Sequence, residues 1–598
     1  MIRESVAGPR PIQKTGLLLG KGLALNNKDL ADIFTLIANL SEIKGEIIYK
    51  TLAYRKAAEN LLGLGRDINE YWKEGKLEEI PGVGKAISEK IDELLRTGKL
   101  EFLEKLKKEV PPSLADWLQV PGLGPKKIAS IWKELGLTTL PELEKAARAG
   151  KLRALPGMGE KSEALILTGI ESLARRSGRL PLGQAFPLAQ QIIVALKKVP
   201  GVVDASPAGS LRRMRPTVGD LDILVAARDS GPVMEAFTNL PGVLRVLGHG
   251  ETKSSIEFGN GVRAQVWVHP PERFGTALQY ATGSKDHNVR LRELALEKGL
   301  SLSEHALLRT DGSGEITCAT EQQVYAELGL PWIPPELRED RGEVQAAKAG
   351  KLPKLIEIAD IRADLQVHSN WSDGKLSMLE MARLAAKRGL QVIAFTDHSV
   401  SLGVANGLSM ERHAEQQKEI VKIQEELGNT IRVLHATEVE IKADGTLDYP
   451  DEFLATLDLV LASLHSSLRQ PRDKVTARLI NAIRNPHVDI IGHPTGRLLP
   501  DREAADLDME AVLAAAAESG VALEINAHPA RLDLDDVAAR RARELGIPLS
   551  INTDAHSEAD LDVLPFGVAI ARRAWLTKDD VINCWPVDRL LKWLKKRA

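Results

Sequence analysis

Cysteine is almost absent: only Cys318 and Cys584 occur in 598 residues. Two thiols cannot staple a chain of this length, so stability has to come from buried cores, and the scarcity fits a reducing compartment. Long apolar runs are missing too. The stretch from Gly16 to Leu25 is short and interrupted by Lys21, which supports neither a membrane span nor a secretory signal, and a cytoplasmic protein is expected. Net charge is close to zero, with 79 Lys+Arg against 82 Asp+Glu, and 27% charged with 43% hydrophobic residues argue against disorder as the main state. At roughly 150 residues per domain, the length allows about four domains.

The near balance conceals a polarity along the chain. Residues 1–310 carry 45 Lys+Arg and 36 Asp+Glu, a net +9, whereas residues 361–598 carry 29 and 36, a net −7. The first part suits a polyanionic partner, and the second suits carboxylates gathered around cations.

Within the first part a short element recurs three times, 35 to 40 residues apart: Ile80-Pro-Gly-Val-Gly, Val120-Pro-Gly-Leu-Gly and Leu155-Pro-Gly-Met-Gly. Apolar residues at helical spacing follow each copy, so a tight turn opens a helix. With no side chain at Gly82, Gly84, Gly122, Gly124, Gly157 and Gly159, amides at the helix start can reach a phosphate, and Lys85, Lys126, Lys127 and Lys161 stand beside them. The other reading is an ordinary capped helical hairpin. The element resembles the helix-hairpin-helix motif, which implies contact with the DNA backbone without sequence readout.

Residues 25–105 resemble the N-terminal lyase domain of family X DNA polymerases over the segment Tyr49 to Leu62 and the first hairpin. That resemblance makes Lys90 the amine that forms a Schiff base with an abasic sugar, and it matches Lys50, Tyr54, Arg55 and Lys56 to the surrounding pocket. A supporting lysine of the family is Ala86 here. Such an amine reacts only as the free base, which neighbouring cations favour. The alternative is a solvated helix lysine paired with Glu89 or Asp92.

After the stretch 174–183, which holds several Arg and a Pro, the pattern becomes mixed α/β. Asp220 and Asp222 lie two apart on an apolar strand and share a face, half of a Mg²⁺ or Mn²⁺ site of the kind used in phosphoryl transfer. Gly209, Ser210, Arg212 and Arg213 precede them and suit a triphosphate, with hydroxyl and guanidinium donors meeting phosphate oxygens. This spacing resembles the nucleotidyltransferase palm of the same polymerases, and Tyr280, Gly283, Asn288 and Arg292 match the sugar and base contacts of its nucleotide-binding subdomain. One position departs. The third palm carboxylate of the family is Gln265 here, which adds no charge for a second metal and takes no proton from a primer 3'-hydroxyl. Nuclease activity is therefore expected to outrank polymerisation. Glu257 partly compensates for the missing carboxylate if residues 259–261 make a three-residue hairpin loop, because it then faces the same side as Gln265.

A Pro- and charge-rich stretch, 336–360, reads as a linker. Seven short apolar runs follow it, separated by helical segments, and most end in a metal-competent or polar residue. Such alternation means parallel strands, with chemistry at the C-terminal face of a barrel. The arrangement resembles the PHP (polymerase and histidinol phosphatase) domain, a seven-stranded barrel with a trinuclear metal site. The resemblance places metal ligands at His368, Asp373, His398, Glu438, His465, His493, Asp554 and His556, with Glu438 bridging. His, Asp and Glu without Cys suit Mn²⁺, Zn²⁺ or Fe. Gln366 stands where the motif has its first His, and its amide oxygen is a weaker ligand than imidazole. Arg531 is a candidate for the substrate phosphate, its alternative being a surface arginine. His528 lies off the motif at a strand end, a candidate substrate or metal contact if it is not a satisfied core residue.

The chain is thus identified as a member of the bacterial-type family X DNA polymerases with a fused PHP domain, a multidomain α+β and α/β protein. Residues 1–105 are assigned to a helical lyase-like DNA-binding domain with the first hairpin, 106–180 to a helix-hairpin-helix DNA-binding subdomain and 181–270 to the palm. Residues 271–335 are assigned to the nucleotide-binding subdomain, 336–360 to the linker and 361–598 to a (βα)7 phosphoesterase barrel. The resemblance implies DNA repair of the base excision type, gap filling and a metal-dependent 3'-5' exonuclease. Its partners are dNTPs and gapped or primer–template DNA with its 3' ends, and no membrane. Mg²⁺ or Mn²⁺ is expected in the palm, up to three Mn²⁺ or Zn²⁺ in the barrel, and the chain is expected to be a monomer. Two other readings stay open: a DNA-binding scaffold with decayed centres, which the two glutamines motivate, and a small-molecule phosphoesterase fused to a DNA-binding module.

Overall fold

The structure, a computed structural model, describes residues 25–595 apart from 63, 65–66, 121, 176–178, 260 and 501. Residues 16–24 of the early apolar stretch, and 176–178 of the Arg-containing stretch, lie outside the described residues. The chain divides into two compact units between Leu173 and Ala174. Among the described residues no helix is long and apolar enough to cross a membrane.

The first unit is helical among the described residues. In the helix Lys85–Thr97 the buried residues Ile87, Ile91 and Leu94 recur on one face and join a core with Phe34, Ile37, Trp117 and Ile128. Each sequence repeat becomes a turn that opens a helix, at Lys85–Thr97, Pro125–Leu135 and Glu160–Arg175. Gly82, Gly122 and Gly157 have φ of 78°, 87° and 73°, backbone that a Cβ penalises. A Cβ at Gly122 would also press on Leu165 at 2.8 Å. Gly122→Ala is therefore expected to cost about 1–2 kcal/mol, read as a lower midpoint of thermal unfolding for this unit.

The second unit begins with a mixed sheet. Strands β1 (Val202–Pro207), β2 (Leu221–Ala227), β3 (Val243–His249), β4 (Lys253–Phe258) and β5 (Arg263–His269) are ordered β1-β2-β5-β4-β3. β2 and β5 run parallel with Asp222 opposite Gln265. β4 pairs antiparallel with β5, Ser255 opposite Gln265 and Glu257 opposite Arg263, so Glu257 does share the face of Gln265. The helices Phe274–Thr282 and Lys285–Glu297 follow, then a small antiparallel sheet of Leu300–Leu302, Leu307–Arg309 and Glu315–Ile316.

Seven parallel strands come next in sequential order: β6 (Ala363–Val367), β7 (Val392–Phe395), β8 (Arg432–Glu440), β9 (Leu459–Ser463), β10 (Ile490–Ile491), β11 (Ala522–Asn526) and β12 (Leu549–Asn552). A parallel bridge from Val367 to Ala555 joins the last edge to the first. Helices cover the outside, so the strands are buried on both faces and read as near-continuous apolar runs. One apolar cluster runs from Leu182, Ile223 and Val266 of the mixed sheet to Val367, Ile491 and Ile551 of the barrel, and Gly183 sits against Pro529 with no room for a Cβ.

The stretch 336–360 departs from its expected role as a linker. It holds the helix Glu343–Lys348, and Leu337, Val344, Ala347 and Leu355 are buried in a cluster with Trp575 of the barrel. The prolines and charges that signal a loop have other uses here. Pro335 starts a helical turn, Arg338 makes a buried pair with Glu321 at 2.6 Å, and Glu343 meets His287 at 2.6 Å.

Candidate metal centre and nucleotide site

The barrel ligands expected from sequence converge at the C-terminal ends of the strands. His368 Nε2 lies 3.3 Å from Glu438 and 3.2 Å from Asp554. His398 and His465 approach Glu438 at 3.3 and 3.2 Å, and His493 at 2.9 Å. Asp373 lies 3.7 Å from His398 and 3.3 Å from His556. Three overlapping groups have ligand geometry: His368, Asp373, His398 and His556; His398, Glu438 and His465; His368, Glu438 and Asp554. Glu438 is fully buried and touches four imidazoles, the placement a bridging carboxylate needs.

The polar atoms here are satisfied poorly by protein alone. His368 Nδ1 and Nε2, His398 Nδ1, His465 Nε2, Glu438 Oε2 and both amide atoms of Gln366 are buried without a hydrogen-bond partner. Orphans of this kind are costly, and cations would satisfy the imidazole nitrogens and the carboxylate and amide oxygens among them. The donor set therefore fits divalent metals, with Gln366 fully buried beside His368 as a candidate oxygen ligand. His493 and Asp554 take the left-handed backbone, φ 26° and 57°, a conformation that strained residues at functional sites often adopt.

Electrostatics follow from the crowding. Burial alone would push the Glu438 carboxyl up, but His465 and His398 hold it well below the usual carboxylate range. Burial opposes charge on His465, yet Glu438 and Glu440 push its pKa up to about 9. Further out, Glu440 accepts from His465 Nδ1 at 2.7 Å and fixes its ring, leaving Nε2 for the centre. Asn526 donates to Asp554 at 3.1 Å, and the His493 amide donates to Glu524 at 2.7 Å. Sequence reading missed Glu440, Glu524 and Asn526; their signal was a pair of polar residues two apart at the end of a strand, Glu438 with Glu440 and Glu524 with Asn526. Arg531 is drawn inward, its Nε 3.1 Å from Asp554 and its Nη1 buried without a partner. His528 Nδ1 accepts from the Ala530 amide at 3.3 Å, which leaves the proton of the neutral ring on Nε2.

The nucleotide site lies on the mixed sheet. Gly209, at φ 57°, runs so close to the Asp222 carboxylate that a Cβ would overlap it. Burial and the neighbouring charge of Asp220 push the Asp222 carboxyl up to about 6. Ser210 lies in the first turn of the helix Gly209–Arg212. Arg212 grips Glu321 through both terminal nitrogens at 2.7 Å and bonds the Thr282 hydroxyl at 2.6 Å. Arg213 donates to the Thr282 carbonyl at 2.6 Å and to Glu339 at 3.1 Å. Gly283 faces Arg213 Nη1. Asn288 takes a hydrogen bond from Gln279 and gives one to the Tyr280 carbonyl, both at 2.8 Å, and Arg292 is half-buried nearby on the same helix. Glu257 is buried against Arg245 at 3.0 Å and Arg263 at 3.5 Å, so two guanidiniums already balance the charge that was to stand in for the missing carboxylate.

In the first unit, Lys90 donates to the Ala86 carbonyl at 3.1 Å and lies 5.2 Å from the centre of the Phe102 ring, while Asp92 is taken by Trp72 at 2.8 Å. Arg55 pairs with Glu42 at 2.6 Å and Lys50 with Glu46 at 3.6 Å. Lys85, Lys126 and Lys161 are exposed, and Lys127 bonds the Gly122 carbonyl at 3.1 Å.

Together these features define a nucleotidyltransferase-type palm packed onto a metal-phosphoesterase barrel. Comparison with known families agrees. Residues 25–100 match a helix-hairpin-helix domain, 114–172 a SAM-like helix-hairpin-helix tandem, 277–339 the DNA polymerase beta thumb and 364–528 the PHP domain. The chain is 40% identical to the DNA polymerase/3'-5' exonuclease PolX of Bacillus subtilis (strain 168), over 96% of this chain and 100% of that protein. It is 28% identical to rat DNA polymerase lambda, over 52% of this chain and 56% of that protein. Its barrel half is 33% identical to a probable phosphatase of Thermoanaerobacter sp. (strain X514), over 37% of this chain and 89% of that protein. The chain belongs to the family X DNA polymerases that carry a PHP domain.

Proposed function

We propose that this protein works in DNA repair, filling gaps by nucleotidyl transfer at the palm and removing nucleotides from 3' ends at the barrel. The observation that carries the reading is the ring of imidazoles and carboxylates around Glu438, in one packed unit with the Asp220 and Asp222 pair. Divalent cations, when bound, would polarise a phosphodiester and make hydroxide from water near neutral pH. The chain's own groups do the rest. Glu440 fixes the tautomer of His465, Asn526 and Arg531 hold Asp554 in place, and Arg531 Nη1 is available to a substrate phosphate. In the palm, Gly209, Ser210 and Arg213 receive the triphosphate, with Tyr280, Gly283, Asn288 and Arg292 around sugar and base. Lys90 serves as the lyase amine.

Within this reading the metals are Mn²⁺ or Zn²⁺ in the barrel and Mg²⁺ or Mn²⁺ in the palm, and the protein acts as a cytoplasmic monomer on gapped or primer–template DNA. The domain assignment is kept, with 336–360 joined to the packed body rather than left as a tether. The test is a 5'-labelled primer–template with Mn²⁺, with and without dNTPs. Shortening without dNTPs and extension with them is the expected pair of results. If neither occurs, the scaffold reading replaces this one; hydrolysis of a small phosphate ester but not of DNA selects the phosphoesterase reading.

A further inference from the structure

A chain of alternating charges crosses from the barrel to the nucleotide pocket. Arg573 ends the barrel helix Leu564–Arg573, and its side chain is wholly buried. Its Nη2 donates to Asp536 of the neighbouring helix Asp536–Glu544 at 2.8 Å. Its Nη1 donates to the Arg213 carbonyl at 2.7 Å and to Glu339 Oε1 at 2.9 Å. That same Oε1 accepts from Arg213 Nε at 3.1 Å, so two guanidiniums share one carboxylate oxygen. The other oxygen of Glu339 meets Arg215 at 3.5 Å, and Asp536 is shared with Arg341 at 2.8 Å.

We propose that Arg573 is a positioning residue for the nucleotide pocket, acting through Glu339 on Arg213, so that the barrel sets how readily the palm takes a triphosphate. This rests on Arg213 as a triphosphate ligand. In this coupling the Arg213 guanidinium turns from Glu339 to meet a phosphate, and a buried carboxylate stripped of its cation is costly. Arg573 lowers that cost because it stays on the same oxygen. Removing the charge of Arg573 leaves Glu339 to Arg213 and Arg215, tightening its hold. Removing the charge of Glu339 leaves Arg213 held by the Thr282 carbonyl without a competing carboxylate.

The two substitutions therefore have opposite signs, which a merely structural contact would not produce. Full-length protein is titrated with dATP and Mg²⁺ in the absence of DNA, with thermal unfolding run on each variant. Glu339→Gln is expected to lower the dATP Kd at least about fivefold, the lower end of ordinary coupling between sites. Arg573→Gln is expected to raise it by a similar factor, Arg573→Lys to restore it in part, and Arg573→Gln to have no further effect in the Glu339→Gln background. If Arg573→Gln unfolds, Glu339→Gln decides alone: an unchanged or raised Kd overturns the proposal. Equal effects of Arg573→Gln with and without Glu339 also overturn it. No dATP binding by the unsubstituted protein overturns both this coupling and the nucleotide-site reading beneath it, whereas normal binding with no response to Glu339→Gln removes the coupling only.

Discussion

Glu438→Gln should remove the shortening of DNA 3' ends while leaving primer extension in place. The substitution keeps the volume of a fully buried side chain and deletes the charge on which four imidazoles converge. An amide cannot bridge two cations as a carboxylate does, and it removes the negative charge that divalent cations among neutral imidazoles require. Outer partners of metal ligands typically cost 10–100-fold in affinity or activity, so loss of the central ligand should exceed about 100-fold. Elemental analysis of the purified variant should show fewer bound divalent metals per chain, and thermal unfolding checks that the barrel has kept its fold. Shortening at the unsubstituted rate would move the nuclease out of this centre.

The second large effect belongs to the palm. Asp222→Asn should abolish extension with dNTPs and spare the shortening without them, because in the proposed function the carboxylate opposite Gln265 is half of the palm metal site. Gln265→Asp should do the reverse and raise extension at least about tenfold, since a positioned base of this kind contributes typically 10²–10⁴-fold. A fall in extension on Gln265→Asp would mean that the amide has a task of its own. The pH profile has a definite sign. With the Asp222 carboxyl raised to about 6 by burial and by Asp220, the charged form that holds a cation is lost as pH falls through that value. Extension should therefore decline below about pH 6, at lower pH as Mg²⁺ is raised, because the cation competes with the proton.

The two centres were legible from the chain to different depths. Metal-competent residues at the ends of apolar runs pointed to one face of a barrel, the resemblance to the PHP domain singled out His368, His398, Glu438, His465, His493, Asp554 and His556 as candidate ligands, and the structure brings them together. The hairpin glycines were legible too: positive φ at Gly82, Gly122 and Gly157 leaves few other choices of residue. The groups around those ligands were not. Glu440, Glu524 and Asn526 look like ordinary strand polar residues until the barrel closes and sets them against His465, His493 and Asp554.

Periodicity, turn chemistry and ligand type are local properties, and by themselves they determined the helical hairpins, the seven parallel strands, the metal chemistry and the paired palm carboxylates. Partners distant in the chain were decided only by tertiary packing. Arg573 and Glu339 are 234 positions apart, and no spacing rule links them. The packing of 336–360 against Trp575 was settled in the same way. A buried charge takes whichever counter-charge the folded core brings within reach, and that choice is made by the whole molecule.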